Sequence, residues 1–192
     1  MHITWVLSAA NVEATGLNLT SPLASYRYRV SIPMRELRAR GHTCSWLSLR
    51  PNDKLDATLA AFEQTDVAIF SKNHTEQERV VAVLDHARSR GICSIVDVCD
   101  DYFESGAKLE PYYRSLVAEA DAVTASCRQL ATYIEQATGR RAHVIADPYE
   151  GPGGSPTWAP KRSDVKAVWF GNTGNMQSLI GEAEALPQRI SG

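Results

Sequence analysis

Residues 66–98 read DVAIFSKNHTEQERVVAVLDHARSRGICSIVDV, and this stretch decides the fold. Asp66–Ser71 and Ile92–Val98 are short apolar runs, and Glu76–Arg90 carries a helical pattern that Gly91 ends. Two short apolar runs joined by a helix predict a right-handed β-α-β unit in a parallel sheet. Both runs are almost continuously apolar, which is typical of strands covered on both faces.

The same alternation extends in both directions along the chain. Further strands are predicted at Ile3–Ser8, Thr43–Leu49, Ala122–Ser126 and His143–Ala146. Further helices are predicted up to Arg40 and over Leu55–Gln64, Pro111–Ala120 and Cys127–Thr138, and Ala9–Ala24 is predicted to be a long polar loop. The sequence therefore predicts an α/β fold, a Rossmann-like three-layer sandwich with a mostly parallel sheet, over residues 1–147.

A change of composition marks a domain boundary near residue 148. The stretch Asp147–Pro160 is rich in proline and glycine, which break regular structure, and we interpret residues 148–164 as a linker. Residues 165–192 then show a strand, a Gly/Asn loop and a short helix. This last segment is either the beginning of a second α/β domain or a tail that packs on the first.

Composition excludes several classes of protein. The chain of 192 residues has a net charge of −2, which argues against a general nucleic-acid-binding surface or a polybasic membrane anchor. It has neither a signal-peptide pattern nor an apolar run of about 18 residues, so we predict a cytoplasmic protein without a transmembrane segment. Peripheral membrane contact stays open.

The four cysteines are scattered without a C-x-x-C pair, so their spacing supports neither a zinc site nor a disulfide framework. Their neighbours are apolar, and we expect buried free thiols at Cys44, Cys93, Cys99 and Cys127.

Ligands of open parallel sheets bind beyond the carboxyl ends of the strands. The first strand is followed by Ser8–Val12, which contains neither G-x-G-x-x-G nor G-x-x-x-x-G-K-[ST]. The glycines that let a backbone approach a pyrophosphate are missing from this loop, so dinucleotide oxidoreductases and P-loop nucleotidases are disfavoured.

The helix after this loop carries a possible anion site. Val30, Met34 and Leu37 form a stripe that we expect to face the sheet, and Tyr26 and Arg27 extend it towards the ligand edge. An arginine in that position suits a phosphate or a carboxylate. The alternative is that Tyr26 and Arg27 only cover the core.

Polar residues follow three other strands at the same edge. Asp97, Asp100 and Asp101 come at the end of the fourth strand, where carboxylates could orient hydroxyl groups, act as a base or bind Mg²⁺. The alternative for these acids is a solvated turn. The other candidates are Lys72, Asn73 and His74 after the third strand, and Ser126 after the fifth.

The order of these segments resembles the N-terminal domain of a GT-B glycosyltransferase, of the large group that uses nucleotide-sugar donors. The matching segments are Tyr26–Leu37 with Gly41-His42, Asp66–Lys72, Ile95–Phe103, Ala120–Ser126, His143–Pro148 and Val168–Asn172. The resemblance implies that this domain binds a glycan or lipid-linked acceptor in polysaccharide biosynthesis. It also implies that residues 165–192 begin the domain that binds the nucleotide sugar, with no separate cofactor.

The resemblance also implies roles for individual residues. Asp100 and Asp101 take the place of a histidine that is familiar in the family, and they are the catalytic candidates. Tyr26, Arg27, Lys72, Asn73, His74, Asp97, Ser126, Gly171 and Asn172 are the candidates for substrate binding. Two alternatives remain: a non-catalytic module that binds a partner or a small anionic ligand, and a Mg²⁺-dependent phosphotransfer domain that uses the three aspartates.

Overall fold

The computed structural model describes residues 1–8, 13–15, 18–60, 62–103, 108–150 and 180. The chain divides into two units, Met1–Glu150 and Gly151–Gly192, and the fold below is that of the first. Residues 151–179 and 181–192, and with them most of the predicted linker and the start of a second domain, lie outside the described residues.

The main sheet has six parallel strands, which confirms the predicted Rossmann-like sandwich. The strands are β1 (His2–Ser8), β4 (Thr43–Leu49), β5 (Val67–Ser71), β6 (Cys93–Val98), β7 (Ala122–Ala125) and β8 (His143–Val144), in the spatial order β4-β1-β5-β6-β7-β8. Because β4 and β5 lie on opposite sides of β1, the strand order reverses at β1. A crevice at such a reversal is where doubly wound sheets bind ligands.

Among the described residues, six α-helices accompany these strands. They are α1 (Ala24–Tyr26), α2 (Ile32–Ala39), α3 (Leu55–Ala60), α4 (Gln77–Ser89), α5 (Glu110–Glu119) and α6 (Arg128–Thr138). Gly41, Gly91 and Gly139 follow the ends of α2, α4 and α6 with positive φ angles, as helix-ending glycines do. In the part of the chain that the structure describes, no helix is both long and apolar enough to cross a bilayer.

The predicted loop at Ala9–Ala24 is wrong in one respect. It contains two short antiparallel strands, β2 (Glu13–Thr15) and β3 (Asn18–Thr20), which form a separate hairpin. Residues 9–12, which precede the hairpin, and residues 16–17, which connect its two strands, lie outside the described residues.

Two apolar cores cover the two faces of the sheet. The larger core packs α3–α6 against residues such as Val6, Phe70, Val96 and Val98. The smaller core packs α1 and α2 against Trp5 and its neighbours on the other face. Two half-buried isoleucines, Ile69 and Ile95, line a cavity of about 320 Å³ on this second face.

The helix on the second face is interrupted by a π-helical segment, Arg27–Ser31, between α1 and α2. Pro33 lies in the first turn of α2 and has no N–H to donate to the carbonyl of Arg29, four residues earlier. That carbonyl instead accepts a hydrogen bond from the indole N–H of Trp5, at 3.2 Å. β1 therefore binds the backbone of the π-helical segment directly through the Trp5 indole.

The π-helical segment changes which side chains face the sheet. Val30 and Met34 are buried as predicted, and so is Tyr26. Arg27, however, is half-buried, and Arg29 is the buried arginine, with 6% of its surface exposed. The prediction assumed a uniform rotation of about 100° per residue, which a π-helical segment does not follow.

The side chain of Arg29 forms a buried ion pair with Asp97 of β6. The guanidinium donates from Nε at 3.0 Å and from Nη2 to the two carboxylate oxygens. Asp97 also accepts hydrogen bonds from the hydroxyls of Ser71 (2.9 Å) and Thr124 (2.6 Å). One carboxylate thus joins three strands to the π-helical segment.

The expected burial of the cysteines is wrong for two of the four. Cys44 is buried and Cys99 is half-buried, but Cys93 and Cys127 are exposed. Cys127 lies at the N-cap position of α6, where its sulfur accepts from the backbone N–H of Leu130. Cys127 is flanked by the polar Ser126 and Arg128, and a residue at the N-terminal end of this helix projects outwards.

We predict that Asp97→Asn destabilises the protein by about 3–5 kcal/mol, because it removes the buried countercharge of Arg29 and leaves only the half-exposed Asp147 carboxylate, at 3.3 Å. Urea unfolding followed by circular dichroism measures this change. The matched control is Glu36→Gln, which breaks the exposed Arg35–Glu36 ion pair and should cost about 1 kcal/mol or less. Equal losses in the two variants would contradict a structural role for the buried pair.

Candidate functional site

The turn after β5 lies at the carboxyl edge, beside the end of β1. The hydroxyl of Ser8, the last residue of β1, donates to the carbonyl of Lys72 (2.7 Å) and accepts from the N–H of His74 (3.1 Å). The hydroxyl of Tyr26 donates to the carbonyl of Ser8 at 3.0 Å. These three bonds hold the turn against the first strand at the position where the strand order reverses.

The backbone of this turn is strained. Lys72 has a φ of 56° and Glu76 a φ of 53°, both in the left-handed region that non-glycine residues rarely adopt. Such a conformation costs about 1–2 kcal/mol per residue. Strain of this kind persists where surrounding contacts enforce it, and it is frequent at ligand sites.

The ammonium group of Lys72 forms an ion pair with Asp100, in the loop after β6. The Nζ–Oδ2 distance is 2.7 Å, and the thiol of Cys99 lies 3.2 Å from the same nitrogen. Lys72 is almost fully buried, whereas 56% of the Asp100 side chain is exposed. The pair therefore presents a carboxylate to solvent and keeps its cation inside.

Asp100 is the accessible ionised group of this cluster. Burial by itself raises the pKa of Asp100, but the hydrogen bonds from Lys72 and Tyr102 outweigh burial and hold that pKa below its ordinary value. Burial also raises the pKa of the neighbouring Cys99 thiol, to about 12. At neutral pH the site therefore contains a carboxylate, an ammonium group and a neutral thiol.

His74 links two tyrosines to this cluster. Its Nδ1 lies 3.1 Å from the Tyr113 hydroxyl, and its Nε2 lies 3.2 Å from the Tyr102 hydroxyl, which donates to Asp100 at 2.9 Å. One arrangement of protons satisfies all three contacts. Tyr113 donates its hydroxyl proton to Nδ1 of His74, the N–H at Nε2 donates to the Tyr102 hydroxyl, and Tyr102 donates its own proton to Asp100. The tyrosine rings stack at 4.0 Å, so the chain of hydrogen bonds has a rigid frame.

The side chain of Asn73 is buried, with only 1% of the residue exposed. Among the residues that the structure describes, neither its amide nitrogen nor its amide oxygen has a hydrogen-bond partner. A buried polar group left unpaired costs about 1–3 kcal/mol. The Asn73 amide, between Lys72 and His74 in the chain, is therefore a candidate group for contact with a ligand.

Of the other predicted site residues, Ser126 contacts this cluster, whereas Asp97 and Arg27 form separate ion pairs. Ser126 contacts the loop through a 3.3 Å hydrogen bond from its hydroxyl to the carbonyl of Cys99. Asp97 belongs to the Arg29 ion pair described above, and Arg27 pairs with Glu150, at 2.9 Å.

Asp101 lies next to Asp100 in sequence but has a different environment. Its Oδ1 accepts from the N–H of Phe103 at 2.9 Å, in a turn closed by an aspartate side chain. The other two candidates, Gly171 and Asn172, lie outside the described residues. Asp100 is therefore the predicted catalytic carboxylate that the structure brings into contact with Lys72.

The three aspartates do not converge on one point. Asp97 accepts from Arg29 and Asp100 from Lys72, while Asp101 closes its own turn. Across the residues described by the structure, no group of three or more histidine, cysteine or acidic side chains could hold a metal ion.

Several residues of this site could not be predicted from the sequence. Ser8 ends a strand like any small residue, and Tyr102 and Tyr113 resemble ordinary core aromatics. Their importance depends on long-range pairing with His74. Arg29 carried a partial signal, because a charged residue beside an apolar stripe suggests a buried partner.

Comparisons with known proteins leave the site to be interpreted from its geometry. No protein-family model matches this sequence, and no curated protein shows significant similarity to it.

We predict that Asn73→Leu raises the free energy of unfolding by about 1 kcal/mol, because leucine has a similar size and carries no unpaired amide. Urea unfolding measures the change. The comparison variant is Gln129→Leu on the exposed surface of α6, which should stay within about 0.5 kcal/mol of the native protein. A loss of stability in Asn73→Leu would show that the amide has a stabilising partner in the native protein.

We also predict a pH dependence that arises from His74. Burial, aided by the positive charge of Lys72, lowers the pKa of His74 below its ordinary 6.5. The unfolded chain therefore takes up a proton before the folded protein does, so stability is full above about pH 6.5 and falls as the pH drops below it. Urea unfolding at pH 7.5, 6.5 and 5.5 measures this dependence of the unfolding free energy on pH. We expect His74→Gln to lose the part of the decrease that arises from His74, and His143→Gln, on an exposed strand, to retain it.

Proposed function

We propose that this chain is the acceptor-binding half of a nucleotide-sugar-dependent glycosyltransferase, which transfers a sugar to a hydroxyl of a glycan or lipid-linked acceptor. The observation that carries the proposal is the unpartnered Asn73 amide beside the Lys72–Asp100 ion pair, at the reversal of the strand order. The resemblance of the chain to GT-B acceptor domains supplies the reaction class.

The hydrogen-bonding groups of the site suit a sugar. A hydroxyl both donates and accepts, and the Asn73 amide offers one group of each kind. Asp100 can accept from a second hydroxyl, and its exposure lets a ligand reach it. A ligand with several neighbouring hydroxyls would reach Asp100 directly, and it would reach the buried Asn73 amide only if the turn at Lys72 moves.

The proposed reaction forms a bond between the acceptor oxygen and the anomeric carbon while the bond to the nucleoside diphosphate breaks. In this half of the protein, Asp100 would hold the attacking hydroxyl and receive its proton as the new bond forms. The low pKa of Asp100 makes it a weak base, so orientation of the hydroxyl is its larger contribution. The positive charge that stabilises the leaving diphosphate would come from the donor half.

A second candidate is a binding module without catalysis, and one observation favours it. His74 already uses both ring nitrogens, and Lys72 is already paired with Asp100. These acid–base groups are satisfied within the protein, as they would be in a site that only binds.

We predict that Asp100→Asn lowers sugar transfer at least about 100-fold, because the hydroxyl loses its charged acceptor. Nucleoside diphosphate release from a panel of nucleotide sugars, with mono- and oligosaccharide acceptors and with the donor-binding half present, measures the rate. Saccharide binding is followed in parallel by ligand-observed NMR. The control is Asp56→Asn, an exposed aspartate of α3, which should retain the native rate.

The two candidates differ in their outcomes. Saccharide binding with no release from any donor would favour the binding module. Unchanged rates in Asp100→Asn would remove this residue from the mechanism. Failure of every saccharide to bind the native protein would overturn the sugar-transfer proposal and favour a module that binds a partner or a small anionic ligand.

A further inference from the structure

The guanidinium group of Arg27 holds a carboxylate in a fork. Its Nε lies 2.9 and 3.2 Å from the two carboxylate oxygens of Glu150, and its Nη2 lies 3.0 Å from one of them. Its Nη1 donates to the backbone carbonyls of Ser21 (3.3 Å) and Pro22 (3.0 Å). The protein backbone thus fixes the orientation of the guanidinium independently of Glu150.

The Arg27–Glu150 pair differs from the buried pair formed by Arg29. About a third of each side chain of the Arg27 pair is exposed, at 34% and 31%, whereas the side chains of Arg29 and Asp97 are only 4% and 5% exposed. An exposed ion pair contributes little stability. Glu150 can therefore be displaced at small cost, while Asp97 cannot.

We propose that Arg27 is the binding site for a phosphate group of a ligand, and that the Glu150 carboxylate occupies this site in the free protein. The fork that Arg27 presents to two carboxylate oxygens fits two phosphate oxygens equally well. A phosphate dianion also carries more charge than the Glu150 carboxylate, so it is attracted more strongly to the same cation.

Displacement, and not protonation, must release Glu150. The hydrogen bonds and the charge of Arg27 hold the pKa of Glu150 below its ordinary value, so the carboxylate remains ionised at neutral pH. The affinity for phosphate is then reduced by the competing carboxylate. Removal of that carboxylate should raise the affinity without any change in Arg27.

Arg27 is connected to the candidate functional site through its neighbour in the chain, Tyr26. Arg27 directly follows Tyr26, whose hydroxyl is bonded to the end of β1, and Ser8 there holds the turn at Lys72. The proposal does not depend on sugar transfer, because it concerns phosphate binding alone.

The test is a titration of the full chain with inorganic phosphate at constant ionic strength, followed by NMR of the Arg27 Nε–H group. We predict that Glu150→Gln tightens phosphate binding about two- to fivefold, which corresponds to the loss of one exposed, bidentate ion pair. The double variant Arg27→Gln with Glu150→Gln, observed through its backbone amides, should lose the gain. Arg27→Lys with Glu150→Gln should bind more weakly than Glu150→Gln, because an ammonium group has no fork.

The control for a general charge effect is Glu36→Gln, which removes the same charge from the exposed Arg35 pair. An equal gain in this control, or equal phosphate affinity in Glu150→Gln and the native protein, would overturn the proposal. Acetate binding as tightly as phosphate would overturn the choice of phosphate. Glucose 1-phosphate, and phosphatidylcholine vesicles with or without phosphatidic acid, then distinguish a soluble phosphate ester from a lipid phosphate, and binding of either supports the site.

Discussion

The carboxylate of Asp97 is the constraint on which the rest of this structure depends. It lies in the middle of the sheet surface, almost without exposure, and accepts from Arg29, Ser71 and Thr124. Removal of two charges from water is costly, and their attraction offsets that cost only when each lone pair and proton is used. The carboxylate meets this condition, so it holds the π-helical segment at one rotation relative to β5, β6 and β7.

That rotation determines what the neighbouring side chains can do. With Arg29 directed at Asp97, Tyr26 reaches the end of β1, and Ser8 then holds the strained turn at Lys72. Lys72 in turn neutralises Asp100 without burying it. A sequence of short contacts therefore connects the buried pair to the exposed carboxylate, and each contact restricts the next. Such a rigid frame is what positions groups for ligand binding.

The sequence predicts the sheet well because strand and helix patterns are local. Apolar runs at Thr43–Leu49 and around Asp66–Ser71 coincide almost residue for residue with the strands. The location of the polar cluster was also predictable, since the carboxyl ends of parallel strands meet at one edge. The pairing within the cluster was not. The assignment of Arg27 as the inward arginine failed because one π-helical segment alters the rotation, and nothing local distinguishes Asp97 from Asp100.

Two arginines two residues apart show that burial decides whether an ion pair is a fixed part of the fold or can exchange its partner for a ligand. Arg29 and Arg27 each grip a carboxylate with at least two nitrogens, so hydrogen-bond geometry alone would give them the same role. The exchange of a partner, however, requires a path for solvent and a small loss of free energy, and these conditions hold only for an exposed pair. The partner of Arg29 is therefore part of the fold, whereas the partner of Arg27 is replaceable. The same reasoning applies to the Lys72–Asp100 pair. Lys72 is buried and fixed, whereas Asp100 is bound to Lys72 and remains accessible to a ligand.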